Sequence, residues 1–203
     1  MQEINIFQIA ILIVSIVIHE VSHGYMAYAL GDPTAKEYGR LTLNPLKHLD
    51  IFGSLFLPFF LIISHSPVVI GWAKPVPYNP NLLHKDYKYG PLKVALAGPA
   101  SNLIIAIFFG LILRFGADFL SQPISLIFGY IVLINCLLAV FNLIPIPPLD
   151  GSKILITFLP ARYAMALERI EFGGILLVLL FIFFFSGFIY NAAFFVFRLL
   201  TGL

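Results

Sequence analysis

The chain has 203 residues, 60% of them hydrophobic and 11% charged, and its mean hydropathy is +0.97. That balance excludes a soluble globule with a polar exterior and predicts an integral membrane protein in contact with the lipid bilayer. The net charge of +2 is small, and the basic residues are scattered between apolar runs without the clustered stripe that nucleic-acid binding requires.

Five apolar stretches follow in chain order, at 4–30, 51–70, 93–115, 124–146 and 173–200, each near or above the roughly 20 residues that cross a bilayer as a helix. The separators carry the expected breakers: Gly31-Asp32-Pro33, Asn44-Pro45, the prolines at 75, 77 and 80, residues 116–123, and the prolines at 145, 147 and 148. The expected fold is an all-α polytopic membrane protein with core helices at 4–30, 93–115 and 124–146 and an additional helix at 173–200. No polar stretch is long enough to bury a core of its own, so residues 1–203 read as one membrane-embedded domain. The start, MQEINIFQ, lacks the positive flank of a signal peptide, and the first apolar run is expected to be retained. Cys136 is the only cysteine and sits in an apolar run, so thiolate ligation of a metal has little support.

Lysines and arginines set the orientation. Ten of the twelve (Lys36, Arg40, Lys47, Lys74, Lys85, Lys88, Lys93, Lys153, Arg162 and Arg169) lie in or beside 31–50, 71–92 and 150–172. These loops are expected to be cytoplasmic in a prokaryotic cell membrane, with the N-terminus outside. If so, 51–70 enters and leaves on one side. Gly53, Pro58 and the polar break at 64–67 suit a re-entrant hairpin, although an extra helix remains open.

The first apolar run holds HEVSH at 19–23. On a helix, His19 and His23 share a face and can share one Zn²⁺, with Glu20 beside them to take a proton from a water. His19 lies about 22 Å along a helix starting near residue 4, well below the membrane surface. Each ionisable group at such a depth costs about 2.5–3.5 kcal/mol, which makes a functionless motif there improbable. Two histidines leave a tetrahedral ion short of a protein ligand, and Asp150 is the best candidate. It ends the stretch NLIPIPPLDG at 142–151, where three prolines unwind the chain near the membrane and its backbone must line something polar. His48, Asp50, His65 and His84 are weaker donors.

Asn102, near the start of the third run, and Asn142, before the prolines, can hold a substrate carbonyl or its oxyanion, or can simply join helices. Gly98, Ala100 and Ser101 read as small residues for close helix packing. The prolines make 71–79 an extended or β-like re-entrant segment. Trp72, Ala73, Lys74 and Val76 could offer an edge to an unwound substrate strand, or the segment could be a rigid interfacial loop anchored by Trp72 and Tyr78.

HEVSH in a first membrane helix, GPASN opening a later one and NLIPIPPLDG ending the next together resemble the site-2 proteases, intramembrane zinc metalloproteases, over most of 8–155. RLTLNPLKHLD and GWAKPVPYN look like the compact bacterial and archaeal branch without a PDZ module, and 116–123 is too short to hold one. The resemblance implies one Zn²⁺ per chain on His19, His23 and Asp150, Glu20 as general base and acid, and Asn102 and Asn142 in the active site. It implies a substrate that is a single membrane-spanning segment of another protein. A metal transporter, or a non-catalytic relative that binds membrane helices, is the alternative; the first needs a continuous polar path and the second has no use for Glu20.

Overall fold

The computed structural model describes residues 6–56, 59–60, 63–64, 72–170 and 173–203. Among the described residues the regular structure is entirely helical. The main helices are α1 (Ile6–Ala29), α2 (Thr34–Glu37), α3 (Gly90–Gly116), α4 (Gln122–Asn142), α5 (Asp150–Phe158), α6 (Ala161–Ile170) and α7 (Gly174–Thr201). Four of them, α1, α3, α4 and α7, are long and apolar enough to cross a membrane. The chain is therefore a multi-pass membrane protein, as its composition predicts.

Boundaries shift where proline sets them. The third apolar run becomes helical at Gly90 rather than 93, because Pro91 in the first turn has no amide to leave unsatisfied. The fourth stops at Asn142 rather than 146, since Pro145 pushes its predecessor out of helical backbone. Residues 150–172, expected only as a loop, contain the short helices α5 and α6.

Helix α3 lies at the centre, packed on α1 and α4, and α7 closes against α3 and α4. Small side chains set that spacing: Ala106, Cys136 and Ala193 are fully buried with Val132 and Leu113, and Phe109, Val196 and Leu200 fill around them. The opposite faces carry exposed Phe108, Phe115, Phe183, Phe184, Phe188 and Phe195, the surface a lipid-facing helix presents.

The connections at one end of the bundle interlock. Buried Asp32 accepts from the Thr34 amide and hydroxyl and from the Asn79 amide, and Lys85 donates to the Ala29 and Leu30 carbonyls. Arg40, also buried, donates to the carbonyls of Lys47 (2.5 Å), Lys74 (2.7 Å) and Pro75 (3.1 Å). A wide helical turn spans Ile51–Phe56. Trp72 then donates its amide to the Gly53 carbonyl and accepts from the Ser54 hydroxyl, so the chain that leaves Ser54 is back beside it eighteen residues on. Half of the expected hairpin at 51–70, including Pro58 and His65, lies outside the described residues. The β-like reading of 71–79 is not matched by a strand: the described residues 72–79 are extended in part but their amides point to several separate partners rather than to a ladder.

Candidate metal centre

His19 and His23 stand one turn apart on α1, and both are buried. Asp150 reaches them from the first turn of α5, which the proline stretch swings back under the end of α4. Gly151 permits that approach, because a Cβ there would overlap the Leu143 and Ile144 carbonyls. The Nε2 atoms of His19 and His23 are 3.0 Å apart, and Asp150 Oδ2 lies 3.1 Å from the first and 3.3 Å from the second. Among the described residues this is the one group of three or more His, Cys, Asp or Glu side chains whose ligand atoms converge. His48, Asp50 and His84 are elsewhere, on the Thr42 carbonyl, the Gly53 amide and the Leu82 carbonyl respectively.

The protons fix what this cluster can hold. His23 Nδ1 sits 2.7 Å from the Val94 carbonyl, which can only accept, so Nδ1 carries a proton and, in the neutral ring, Nε2 carries a lone pair. His19 Nδ1 faces Asn102 Oδ1 at 2.6 Å and is protonated for the same reason. Asp150 Oδ2 is buried and accepts no hydrogen bond. With both rings neutral, three lone-pair atoms thus face one another in a buried space, an arrangement that is repulsive without a cation. Zinc–ligand bonds of about 2.0–2.2 Å at tetrahedral angles give ligand–ligand edges of roughly 3.3–3.6 Å, within a few tenths of an ångström of the separations present. The residues fit the ion.

Gly98 makes the pocket possible. A Cβ on it would fall 2.6 Å from His19 Nε2 and Cε1 and nearer still to His23 Nε2. Its expected packing role is therefore specific: the α3 backbone lies directly against the two rings. Glu20, half-buried, accepts the Val76 amide through Oε2 at 2.9 Å. Lys74 in turn donates its amide to the His48 carbonyl, so Arg40, His48 and Val76 form a strap that ends on Glu20.

The other expected residues divide. Asn102 is fully buried, with Oδ1 on His19 and Nδ2 on Asn135 Oδ1 (2.8 Å) and the Ser15 carbonyl (3.4 Å), which leaves it no donor for a substrate carbonyl. Asn142 is half-buried and donates one amide proton to the Leu138 carbonyl. Of the four edge candidates, Trp72, Lys74 and Val76 have their amides engaged within the chain, and Ala73 lies between the first two. Sequence reasoning missed Asn135, Ser15, Arg40 and the Val76 amide. Asn135 and Ser15 had a signal, being polar within apolar runs, with Ser15 one turn before His19.

The profile of peptidase family M50 matches residues 116–186, a stretch that includes Asp150. Three similar relatives carry names beginning "Putative zinc metalloprotease". YwhC of Bacillus subtilis strain 168 is 41% identical over 179 residues, covering 84% of this chain and 78% of the relative. The chain belongs to peptidase family M50. Rip2 of Mycolicibacterium smegmatis is 33% identical over 178 residues (85% of this chain, 65% of the relative), and MJ0611 of Methanocaldococcus jannaschii 33% over 151 (73% and 72%). No solved structure gives a significant match to this M50 chain.

Proposed function

We propose that the chain is an intramembrane zinc metalloendopeptidase of the site-2 type, which hydrolyses a peptide bond within or beside the transmembrane segment of another membrane protein. Family membership and the relatives' names support a metalloprotease with Zn²⁺ as cofactor. The observation that carries the reading is the convergence of His19 Nε2, His23 Nε2 and Asp150 Oδ2 beside Glu20 inside a membrane helix. Those three side chains would hold one ion per chain. Bound there, zinc supplies Lewis acidity, lowering the pKa of a water toward about 7 and polarising the scissile carbonyl.

The remaining steps belong to the chain. Glu20 keeps Oε2 on the Val76 amide, so Oε1 accepts the proton of the attacking water and returns it to the leaving nitrogen. Asn142 retains Oδ1 and one amide proton for a substrate peptide group, whereas Asn102 acts on His19 instead. An unwound substrate can pair with the edge that carries Ala73.

Residues 1–203 act as one membrane-embedded domain. The ten basic residues named above gather at the end of the bundle where α1 and α4 finish and α3 and α7 begin, while Arg114 and Arg198 mark the other end. By the positive-inside rule, that asymmetry supports cytoplasmic interlocked loops and an outside N-terminus, and the bacterial and archaeal relatives support a prokaryotic cell membrane. The site then lies about 15 Å in from that end, ten residues of helix before Ala29.

The test uses purified full-length chain and a single-span substrate labelled at both ends. Wild type cleaves it, a chelator stops cleavage and added Zn²⁺ restores it. Glu20→Gln retains zinc and loses cleavage. Cleavage by Glu20→Gln at the wild-type rate would remove Glu20 from its role, and cleavage by metal-free chain would overturn the reading.

A further inference from the structure

A polar chain runs from His19 away from the cluster into the middle of the bundle, through three different helices. His19 Nδ1 meets Asn102 Oδ1 at 2.6 Å, Asn102 Nδ2 meets Asn135 Oδ1 at 2.8 Å, and Asn135 Nδ2 meets the Ile131 carbonyl at 2.8 Å and Ser15 Oγ at 3.0 Å. Asn102 and Asn135 are both 0% exposed, and Ser15 is buried beside them.

The direction of this chain is not free. The Ile131 carbonyl is a backbone oxygen and can only accept, so the amide nitrogen of Asn135 must face it. Turning Asn135 over would set its Oδ1 against that carbonyl and its Nδ2 against the Nδ2 of Asn102. With Asn135 fixed, its Oδ1 is an acceptor aimed at Asn102, and Asn102 must answer with its nitrogen. The Ser15 carbonyl, 3.4 Å from the same nitrogen, imposes the same choice. Asn102 Oδ1 is then the only atom left to face His19, and an acceptor there holds the imidazole proton on Nδ1. Nε2 is left bare on the cluster side, in the tautomer and ring orientation a metal ligand needs.

We infer that Asn135 is a positioning residue for zinc: anchored on the Ile131 carbonyl, it sets the amide of Asn102, which in turn sets the tautomer of His19. The inference rests on His19 being a zinc ligand. Neither asparagine touches the ion or the substrate. The two lie on α3 and α4, so the network also ties the ligand-bearing face of α1 to the two helices around it.

The test is a double-mutant cycle read by zinc affinity, with full-length chain in detergent competing against a chromogenic chelator for Zn²⁺. Outer partners of metal-bound histidines are worth about 10–100-fold in affinity. Asn102→Leu is expected to weaken zinc by that factor and Asn135→Leu by about tenfold. Because one acts through the other, the double variant is expected to match Asn102→Leu alone, whereas independent packing defects would multiply. Wild-type affinity in Asn135→Leu, or a double variant that loses the product of the single effects, overturns the inference.

His19→Ala run alongside separates the two levels of the argument. If it keeps wild-type zinc affinity, the site assignment fails; if it loses zinc while Asn135→Leu does not, only the present inference fails. Should Asn135→Leu not fold, Asn135→Thr and Asn135→Val provide a pair of equal shape. The threonine hydroxyl can donate to the Ile131 carbonyl and accept from Asn102, so it is expected to hold zinc several-fold more tightly than valine. Equal affinities in that pair would overturn the inference as well.

Discussion

Replacing Gly98 with alanine adds one methyl group where the α3 backbone lies against both ligand rings. The new Cβ would stand 2.6 Å from His19 Nε2 and Cε1, where non-bonded carbon contacts settle at about 3.5–4.0 Å, so a ring or the helix must retreat by roughly 1 Å. Neither ring has that slack. Moving His19 away by 1 Å stretches its 2.6 Å bond to Asn102 to roughly 3.6 Å, past the limit of a hydrogen bond, and His23 is held as closely by the Val94 carbonyl at 2.7 Å. Overpacking of this kind costs about 1–3 kcal/mol. Taken from the metal-bound state, that is about 5–150-fold in zinc affinity, since 1.4 kcal/mol is a factor of ten. Competition with a chelator measures it directly, and cleavage is expected to fall with occupancy. Gly129→Ala on α4 is the control, because a Cβ there meets nothing within 4 Å and zinc binding is expected to be unchanged. If Gly98→Ala binds zinc as wild type does, the α3 backbone does not confine the two rings and the geometry of the site has been misread.

Two further perturbations test the remaining parts of the site. Asp150→Ala leaves two imidazoles and no third donor, so zinc affinity is expected to fall by more than the roughly 100-fold that an outer partner can account for; full occupancy in that variant, measured by elemental analysis, would move the third ligand elsewhere. Arg40→Met keeps the aliphatic stem but strips the donors from the Lys47, Lys74 and Pro75 carbonyls, which frees the strap that ends on Glu20. Zinc content is expected to stay within about twofold while cleavage falls by as much as about 100-fold, the order of loss that follows a 1 Å misplacement of a catalytic group; an unchanged cleavage rate would show that the strap does not position Glu20.

The transmembrane architecture could be read from the sequence because its signal is one-dimensional. Uninterrupted apolar length marks α1, α3, α4 and α7, and the residual errors of a few positions arise where Pro91 and Pro145 decide helix limits by local backbone sterics. HEVSH is similarly local, since its two rings need only helical periodicity to share a face, and Asp150 was flagged by the cost of an unwound backbone in lipid. Side chains whose meaning depends on a distant partner were harder to read. Asn102 looked as suited to a substrate carbonyl as to a helix contact, and only the fold sets it against His19, 83 positions away in the chain, with Asn135 behind it. Val76 reads in the sequence as part of a substrate edge, and its bond to Glu20 carries no signal because it uses a backbone amide, which every residue but proline has.

That last residue bears on how the site can be both buried and reactive. Glu20 would otherwise be a carboxylate in a low-dielectric interior, where an unsatisfied charge is expensive and tends to be neutralised. The Val76 amide supplies one hydrogen bond to Oε2 and does not use the second oxygen. The donor comes from a stretch whose neighbours, Pro75 and Pro77, have no amide to compete for the carboxylate and restrict the backbone around it. Buried Arg40 holds the Lys74 and Pro75 carbonyls just before it, so the amide is presented by a fixed backbone rather than by a flexible side chain. An extended, proline-bounded segment thus does at Glu20 what Asn102 does at His19: each aims a group on the HEVSH helix from outside that helix, and the chemistry of the motif depends on both.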